Sequence, residues 1–211
     1  MSNALTKSSV FIVDDDAAVR DSFAALLESR QICTACFGSA REFLDFIDSK
    51  ARGCLLLDFR LPDMNGLEVQ GHLATAGISL PIIFMTAYAD VPVAVEAMKR
   101  GAADFVEKPV QEEEIVERVE FALRLDRESA SRQAAAAEAD ARIAGLTPRE
   151  LQVFHYLVAG HQNKEIARGL DISPRTVEVH RARVLEKMQA RSLSELIRMA
   201  LVAGHGQHPG L

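Results

Sequence analysis

The chain has 211 residues, of which 48% are hydrophobic and 26% charged, with a formal net charge of -6. That length suits one or two globular domains with modest cores, and the hydrophobic share is ordinary for a chain that folds in water. No apolar run approaches the roughly 18 residues of a bilayer span, and the polar start Met1-Ser2-Asn3-Ala4-Leu5-Thr6-Lys7 has no secretory apolar stretch, so no membrane partner is expected and the expected compartment is the cytoplasm.

Val10-Phe11-Ile12-Val13 is a short apolar run that ends in Asp14, Asp15 and Asp16, and a helical pattern through Val19, Phe23, Leu26 and Leu27 follows. Ile32 to Phe37 reads as a second strand and Glu42 to Ile47 as part of a second helix. Cys33-Thr34-Ala35-Cys36 spells C-x-x-C, but residues three apart in a strand face opposite sides. Together with Cys54 these thiols make an odd set in a reducing compartment, so they read as small apolar fillers and not as a disulfide framework.

Cys54 to Leu57 is a third strand that delivers Asp58 to the turn Pro62-Asp63-Met64-Asn65-Gly66, and Leu67 to Leu73 continues helically. Pro81 to Met85 is a fourth strand stopping at Thr86, followed by a helix from Val91 to Met98 that ends near Gly101. Asp104-Phe105-Val106 is a short fifth strand delivering Lys108-Pro109, and a last helix starts at about Glu112. Five strand-helix units predict an α/β fold, a doubly wound five-stranded parallel sheet.

In such a sheet, functional groups collect beyond the carboxyl ends of the strands. Asp14, Asp15 and Asp58 sharing one crevice would raise one another's pKa unless a cation neutralised them. Mg2+ fits, because it is held by one or two carboxylates together with water and phosphate oxygens. Lys108 supplies a compact positive charge for a phosphoryl oxygen, and the Thr86 hydroxyl can donate to another. The site is therefore expected to hold a phosphoryl group on Asp58.

Asp14-Asp15, Asp58, Thr86-Ala87 and Lys108-Pro109, in this order and spacing, resemble the receiver domain of bacterial two-component response regulators over about residues 8 to 122. The resemblance implies a flavodoxin-like fold, phosphorylation of Asp58 by a sensor histidine kinase, and Mg2+ on Asp14 or Asp15 and on Asp58. It also implies that Thr86 and Phe105 change position on activation and that the Lys108-Pro109 peptide is cis. Phe105 is equally readable as core filler. Tyr88 stands where close relatives often have histidine, which bears on how long an acyl phosphate survives.

Residues 123–145 hold alanine, glutamate and arginine with no Pro or Gly before Gly145, which predicts a linker that is helical or partly flexible. In the last segment, 146–211, Thr147 at N-cap, Pro148 at N1 and Glu150 at N3 form a capping-box pattern ahead of Leu151, Phe154 and Leu157. Asn163 is expected to cap a second helix, Lys164 to Leu170. Ser173-Pro174 opens a third to about Gln189, and Ser192-Leu193-Ser194-Glu195 caps a fourth that ends before Gly204. The tail beyond carries His205 and His208, which are not expected to hold metal. This is an all-α four-helix domain, and its second and third helices have helix-turn-helix spacing.

On a helical wheel Val177, Val184 and Met188 form a core stripe in the third helix, opposite Arg175, Glu178, Val179, Ala182, Arg183 and Glu186, which are free to enter a major groove. Arg181 lies nearer the core, placed to reach phosphates from the edge or to pair with an internal acid. Leu146-Thr147-Pro148-Arg149-Glu150, Asn163-Lys164-Glu165-Ile166-Ala167 and Thr176-Val177-Glu178-Val179-His180-Arg181 resemble the LuxR/FixJ-type DNA-binding domain over about residues 144 to 203. That resemblance implies phosphate contacts from Lys164 and Thr176, base readout around Glu178, Val179 and Ala182, and dimer contacts from the last helix.

Charge divides in the same way: residues 1–122 carry -9, residues 123–145 are neutral, and residues 146–211 carry +3. The sequence thus reads as a response regulator of the NarL/FixJ class, with a receiver over 1–122 and a LuxR-type helix-turn-helix domain over 146–211. It is expected to be a phosphorylation-controlled transcription factor and not an enzyme. Its expected partners are a sensor histidine kinase, double-stranded promoter or operator DNA, a second copy of itself once phosphorylated, and RNA polymerase. Two rivals stay open: a receiver acting mainly as a phosphoryl sink, and a DNA-binding regulator indifferent to phosphorylation.

Overall fold

The computed structural model describes residues 8–87 and 91–205, which leaves Tyr88 and His208 outside the described residues. The chain divides into two units, Met1–Glu128 and Ser129–Leu211. In the first, β1 (Ser9–Val13), α1 (Ala17–Ser29), β2 (Thr34–Phe37), α2 (Ala40–Phe46), β3 (Gly53–Asp58), α3 (Gly66–Thr75), β4 (Ile82–Thr86), α4 (Val91–Lys99) and β5 (Asp104–Glu107) alternate. α5 (Glu112–Ala144) begins in this unit and ends in the second.

The strands form one parallel sheet in the order β2-β1-β3-β4-β5. β1 and β4 are buried along their whole length and β3 up to Asp58, as a sheet covered on both faces requires. Alternation then divides the apolar residues. Phe11, Val13, Leu55, Leu57, Ile82 and Phe84 pack with Phe43, Val69, Leu73 and Ala97 of α2, α3 and α4. Val10, Ile12, Cys54, Leu56, Ile83 and Met85 pack with Leu27 of α1 and with Ile115, Val116 and Val119 of α5.

β2 starts at Thr34, two residues later than the apolar run implies. The turn closing α1 takes up Gln31 at φ 62 and hydrogen bonds the Ile32 amide to the Leu27 carbonyl at 3.0 Å. The cysteines are not all fillers: Cys54 is fully buried, Cys33 half-buried, and Cys36 exposed on the edge strand. Burial pushes the Cys54 thiol up to about 12, with the nearby Asp126 carboxylate adding to it.

The second unit holds α6 (Pro148–Val158), α7 (Asn163–Leu170), α8 (Pro174–Lys187) and α9 (Leu193–Val202). These close around Phe154, Leu157, Ile166, Val177, Val184, Met188 and Leu196, joined by Ile143 from the end of α5. The box at Thr147 is complete: its side chain accepts from the Glu150 amide and Glu150 accepts from the Thr147 amide at 2.8 Å.

Two caps differ from the sequence pattern. Asn163 is the first residue of α7 and not its cap, because Gln162 takes that place with its amide donating to Glu165 Oε2 at 2.7 Å. At α9, Ser192 caps as expected, but Glu195 reaches past it to the Arg191 amide at 2.8 Å.

Glu150 also accepts from Lys187 Nζ at 2.7 Å, and that bond, with the Thr147 amide behind it, holds the buried carboxyl down at about 2. A carboxyl whose folded pKa lies below its unfolded value stabilises the fold above the unfolded pKa and loses that contribution as pH falls toward the folded one. Thermal melting of the second unit is therefore expected to drop between about pH 5 and about pH 2. Lys187→Met is expected to flatten that drop, as followed by circular dichroism across the pH series.

Candidate functional site

Parallel strands all end on one side of the sheet, so β1, β3, β4 and β5 bring their last residues to one crevice. Asp14 follows β1, Asp58 closes β3, Thr86 closes β4, and Lys108 follows β5 with its amide donating to the Thr86 carbonyl at 2.6 Å. One carboxylate oxygen from each of Asp14, Asp15 and Asp58 lies within 4.8 Å of the others. The three differ in exposure: Asp14 is buried, Asp58 intermediate and Asp15 open to solvent.

Lys108 joins the group. Its Nζ donates to Asp14 Oδ2 at 2.5 Å and to Asp58 Oδ2 at 3.2 Å. Burial pulls the Lys108 ammonium down, but the bonds and charges of Asp14 and Asp58 outweigh it and hold its pKa above the ordinary value. The Asp58 carboxyl is raised. Its own burial is the main cause, exceeding the opposing pull of the Lys108 charge and of the Arg60 amide, while repulsion from Asp14 adds least. Desolvation rather than carboxylate repulsion thus sets the basicity of Asp58.

Neighbouring residues hold this geometry. Arg20 Nη1 donates to the Asp14 carbonyl at 2.7 Å, the Asp16 amide to Asp14 Oδ1 at 3.0 Å, and the Arg60 amide to Asp58 Oδ1 at 3.2 Å. Asp16 itself caps α1. Asp63, in the turn after Asp58, accepts from the Ala40 and Arg41 amides and fastens that turn to the start of α2. Arg20 and Asp63 carried no signal in sequence, because their partners are backbone groups that only the fold brings near. Thr86 is 2% exposed. Phe105 packs against Phe59 and Phe84 at centroid distances of 6.3 Å, part of the core, and the Lys108-Pro109 peptide is cis.

In the second unit the wheel holds. Val177, Val184 and Met188 are fully buried, whereas Arg175, Glu178, Val179, Ala182, Arg183 and Glu186 are exposed, with Val179 at 47%. Lys164 is exposed on the first turn of α7. Thr176 lies against the α8 cap, its Oγ1 2.8 Å from Ser173 Oγ. Arg181 is half-buried and finds an amide instead of an acid, donating to Asn163 Oδ1 at 3.3 Å. His205 is not loose: its Nε2 lies 3.2 Å from Asp140 Oδ1.

A parallel sheet presenting three acids and a lysine at its strand ends, joined to a helix-turn-helix unit with one exposed helix face, defines a response regulator. Residues 10–120 match the response regulator receiver domain, and residues 144–200 match the bacterial regulatory proteins of the luxR family. The transcriptional regulatory protein FixJ of Bradyrhizobium diazoefficiens is 46% identical over 199 residues, 94% of this chain and 97% of that protein. FixJ of Rhizobium meliloti is 46% identical over 210 residues, 96% of this chain and 99% of that one. Among solved structures, the response regulator StyR is 37% identical with a TM-score of 0.79, covering 92% of this chain and 98% of its own. Full-length FixJ from B. japonicum is 46% identical with a TM-score of 0.57, covering 94% and 98%.

The chain belongs to the response regulators of the NarL/FixJ class, transcriptional regulators that join a receiver to a LuxR-type DNA-binding domain.

Removing Lys108 would leave Asp14, 1% exposed at its side chain, as a buried carboxylate without its cation. Lys108→Met is expected to cost the receiver about 3 kcal/mol, and adding Asp14→Asn to return part of it. The receiver transition in urea, followed in EDTA, measures both.

Proposed function

We propose that Asp58 accepts a phosphoryl group from a sensor histidine kinase and that the modified receiver controls DNA binding by the second unit. The observation that carries this is the convergence of Asp14, Asp15 and Lys108 on Asp58 at the strand ends. An ionised Asp58 oxygen attacks phosphorus, the bond from phosphorus to the donor nitrogen breaks, and the electron pair leaves with the imidazole. Lys108 Nζ, already 3.2 Å from Asp58, is placed to follow a phosphoryl oxygen, and the Thr86 hydroxyl to donate to another.

The all-oxygen donors Asp14, Asp15 and Asp58 suit a hard divalent cation, with the exposure of Asp15 leaving room for water. When bound there, Mg2+ supplies charge neutralisation at the phosphoryl oxygens.

For the output, Lys164 and Thr176 are assigned to phosphates, and Arg175, Glu178, Val179, Ala182 and Arg183 to the major groove, with Arg181 at the edge. Their support is the exposed face of α8 opposite its buried stripe. Two half-sites read together gain avidity over one, so phosphorylation is assigned the role of pairing two copies. Val95 and Met98 on α4, each 46% exposed, offer the apolar surface for it. Movement of Phe105 out of its contacts with Phe59 and Phe84 would reshape that face. A regulator bound at a promoter would in turn meet RNA polymerase.

Acetyl phosphate with Mg2+ is expected to add one phosphoryl group by intact mass, and neither Asp58→Asn nor the wild type in EDTA should gain it. A gain in either excludes this site. In DNA binding, Lys164→Ala is expected to weaken every duplex and reduce the salt slope by roughly one, while Glu178→Ala changes preference at particular bases. Uniform loss across operator variants for Glu178→Ala would remove it from base readout.

A further inference from the structure

The C-terminal end of α8 is bonded directly to the end of α5, through residues outside the reading face. Arg142, in the last turn of α5, is 24% exposed at its side chain. Its Nη1 donates to the carbonyl of Met188, the C-cap of α8, at 3.1 Å. Its Nη2 donates to Gln189 Oε1 at 3.0 Å and to Glu138 Oε1, one turn back on α5, at 2.6 Å. A strap runs the other way as well: Lys187, the last residue of α8, donates to the Gly145 carbonyl at 3.3 Å and to Glu150.

The last carbonyls of a helix lack intrahelical partners and carry the negative end of its dipole, so a cation is favoured there on both counts. A guanidinium adds direction. Its planar fork engages three acceptors at fixed angles, which an ammonium on a flexible stem cannot do. Glu138 holds the fork from behind, and Gln189, at φ 54, turns the chain so that its amide meets it. The axial rotation of α8 is thereby fixed at its C-terminal end, while the Arg181–Asn163 bond to α7 fixes it midway along. Rotation matters for reading bases: on a helix about 5 Å in radius with its side chains, a turn of about 20° moves a side-chain tip by about 2 Å. That is more than a hydrogen bond to a base edge tolerates.

We propose that Arg142 is a positioning residue for DNA recognition, holding α8 at the rotation that presents Glu178, Val179 and Ala182 to the bases. It touches no base itself. The inference rests on α8 being the reading helix.

The test uses the full chain, with a duplex enriched from a random library by the wild type and a scrambled duplex of equal composition. Affinities are read by fluorescence anisotropy over a salt series, well below the melting temperature of each variant. Arg142→Ala is expected to reduce the ratio of the two affinities about tenfold, leaving the scrambled-duplex affinity and the salt slope unchanged, and Arg142→Lys to recover part of the ratio. An unchanged ratio overturns the inference. Equal weakening on both duplexes with a slope reduced by about one also overturns it, since that marks a phosphate contact.

Should Arg142→Ala fail to fold, Gln189→Gly decides, because glycine suits the positive φ and removes only one acceptor. It should reduce the ratio about threefold, and no reduction overturns the inference. The underlying reading has its own control. If Glu178→Ala and Val179→Ala both leave the ratio intact, α8 is not the reader and both proposals fall; if they lower it and Arg142→Ala does not, only the positioning role fails.

Discussion

Asp14 and Asp58 lose water at the strand ends, and the Lys108 ammonium, bonded to both, stands in for it. The rest of the receiver can be understood as what brings it there. β5 is short and half-exposed, held by Val106 and by Phe105 against Phe59 and Phe84, and it ends where Lys108 begins. Thr86 and Lys108 are locked side by side by a backbone bond between the ends of β4 and β5. Arg20 holds the Asp14 carbonyl, and the Asp16 amide holds its carboxylate. Because Lys108 bonds both acids, its grip on Asp58 is partial, at 3.2 Å against 2.5 Å to Asp14.

The second unit solves a different problem. A helix of 14 residues with one face exposed has a single buried stripe with which to hold itself in place. Val177, Val184 and Met188 supply that stripe, and keeping it buried sets the roll of the helix coarsely. Finer direction comes from polar bonds to other helices: Arg181 to Asn163 of α7 midway along, and Arg142 of α5 to the carbonyl of Met188 at the finish. The Lys187–Glu150 pair ties the same helix to the first turn of α6.

Much of this was legible in the sequence, for physical reasons that also mark where legibility ends. The strands of the receiver are apolar on both faces because both are covered, so Cys54 to Leu57 and Pro81 to Met85 stand out as unbroken runs. Asp14, Asp58, Thr86 and Lys108 each follow such a run, and a parallel sheet alone then suffices to bring them together. The caps at Thr147, Ser173 and Ser192 were readable because capping is local. What stayed hidden depends on distant backbone. Asp63 and Arg142 bond main-chain groups far along the chain and Arg20 one six residues back, and nothing in the spacing of their side chains announces it. Glu195 shows the same limit at short range: the box pattern is present, but its carboxylate chose the amide one residue earlier. Cys36 was misread because alternation along a strand cannot tell an edge from a centre.

The placement of the cysteines makes the two units chemically distinguishable. All three thiols lie in the first 54 residues, so α6 to α9 offer none. Cys36 stands on the open edge of the sheet and is available to an alkylating reagent in the native state, whereas Cys54 is enclosed within β3 with its thiol pushed up to about 12. Thiolate is the reactive species, so Cys54 modifies only when the sheet itself opens. Cys33 is half-buried, so it is the third label, the one that reaches Cys54, whose rate of entry is a clock for opening of the receiver core.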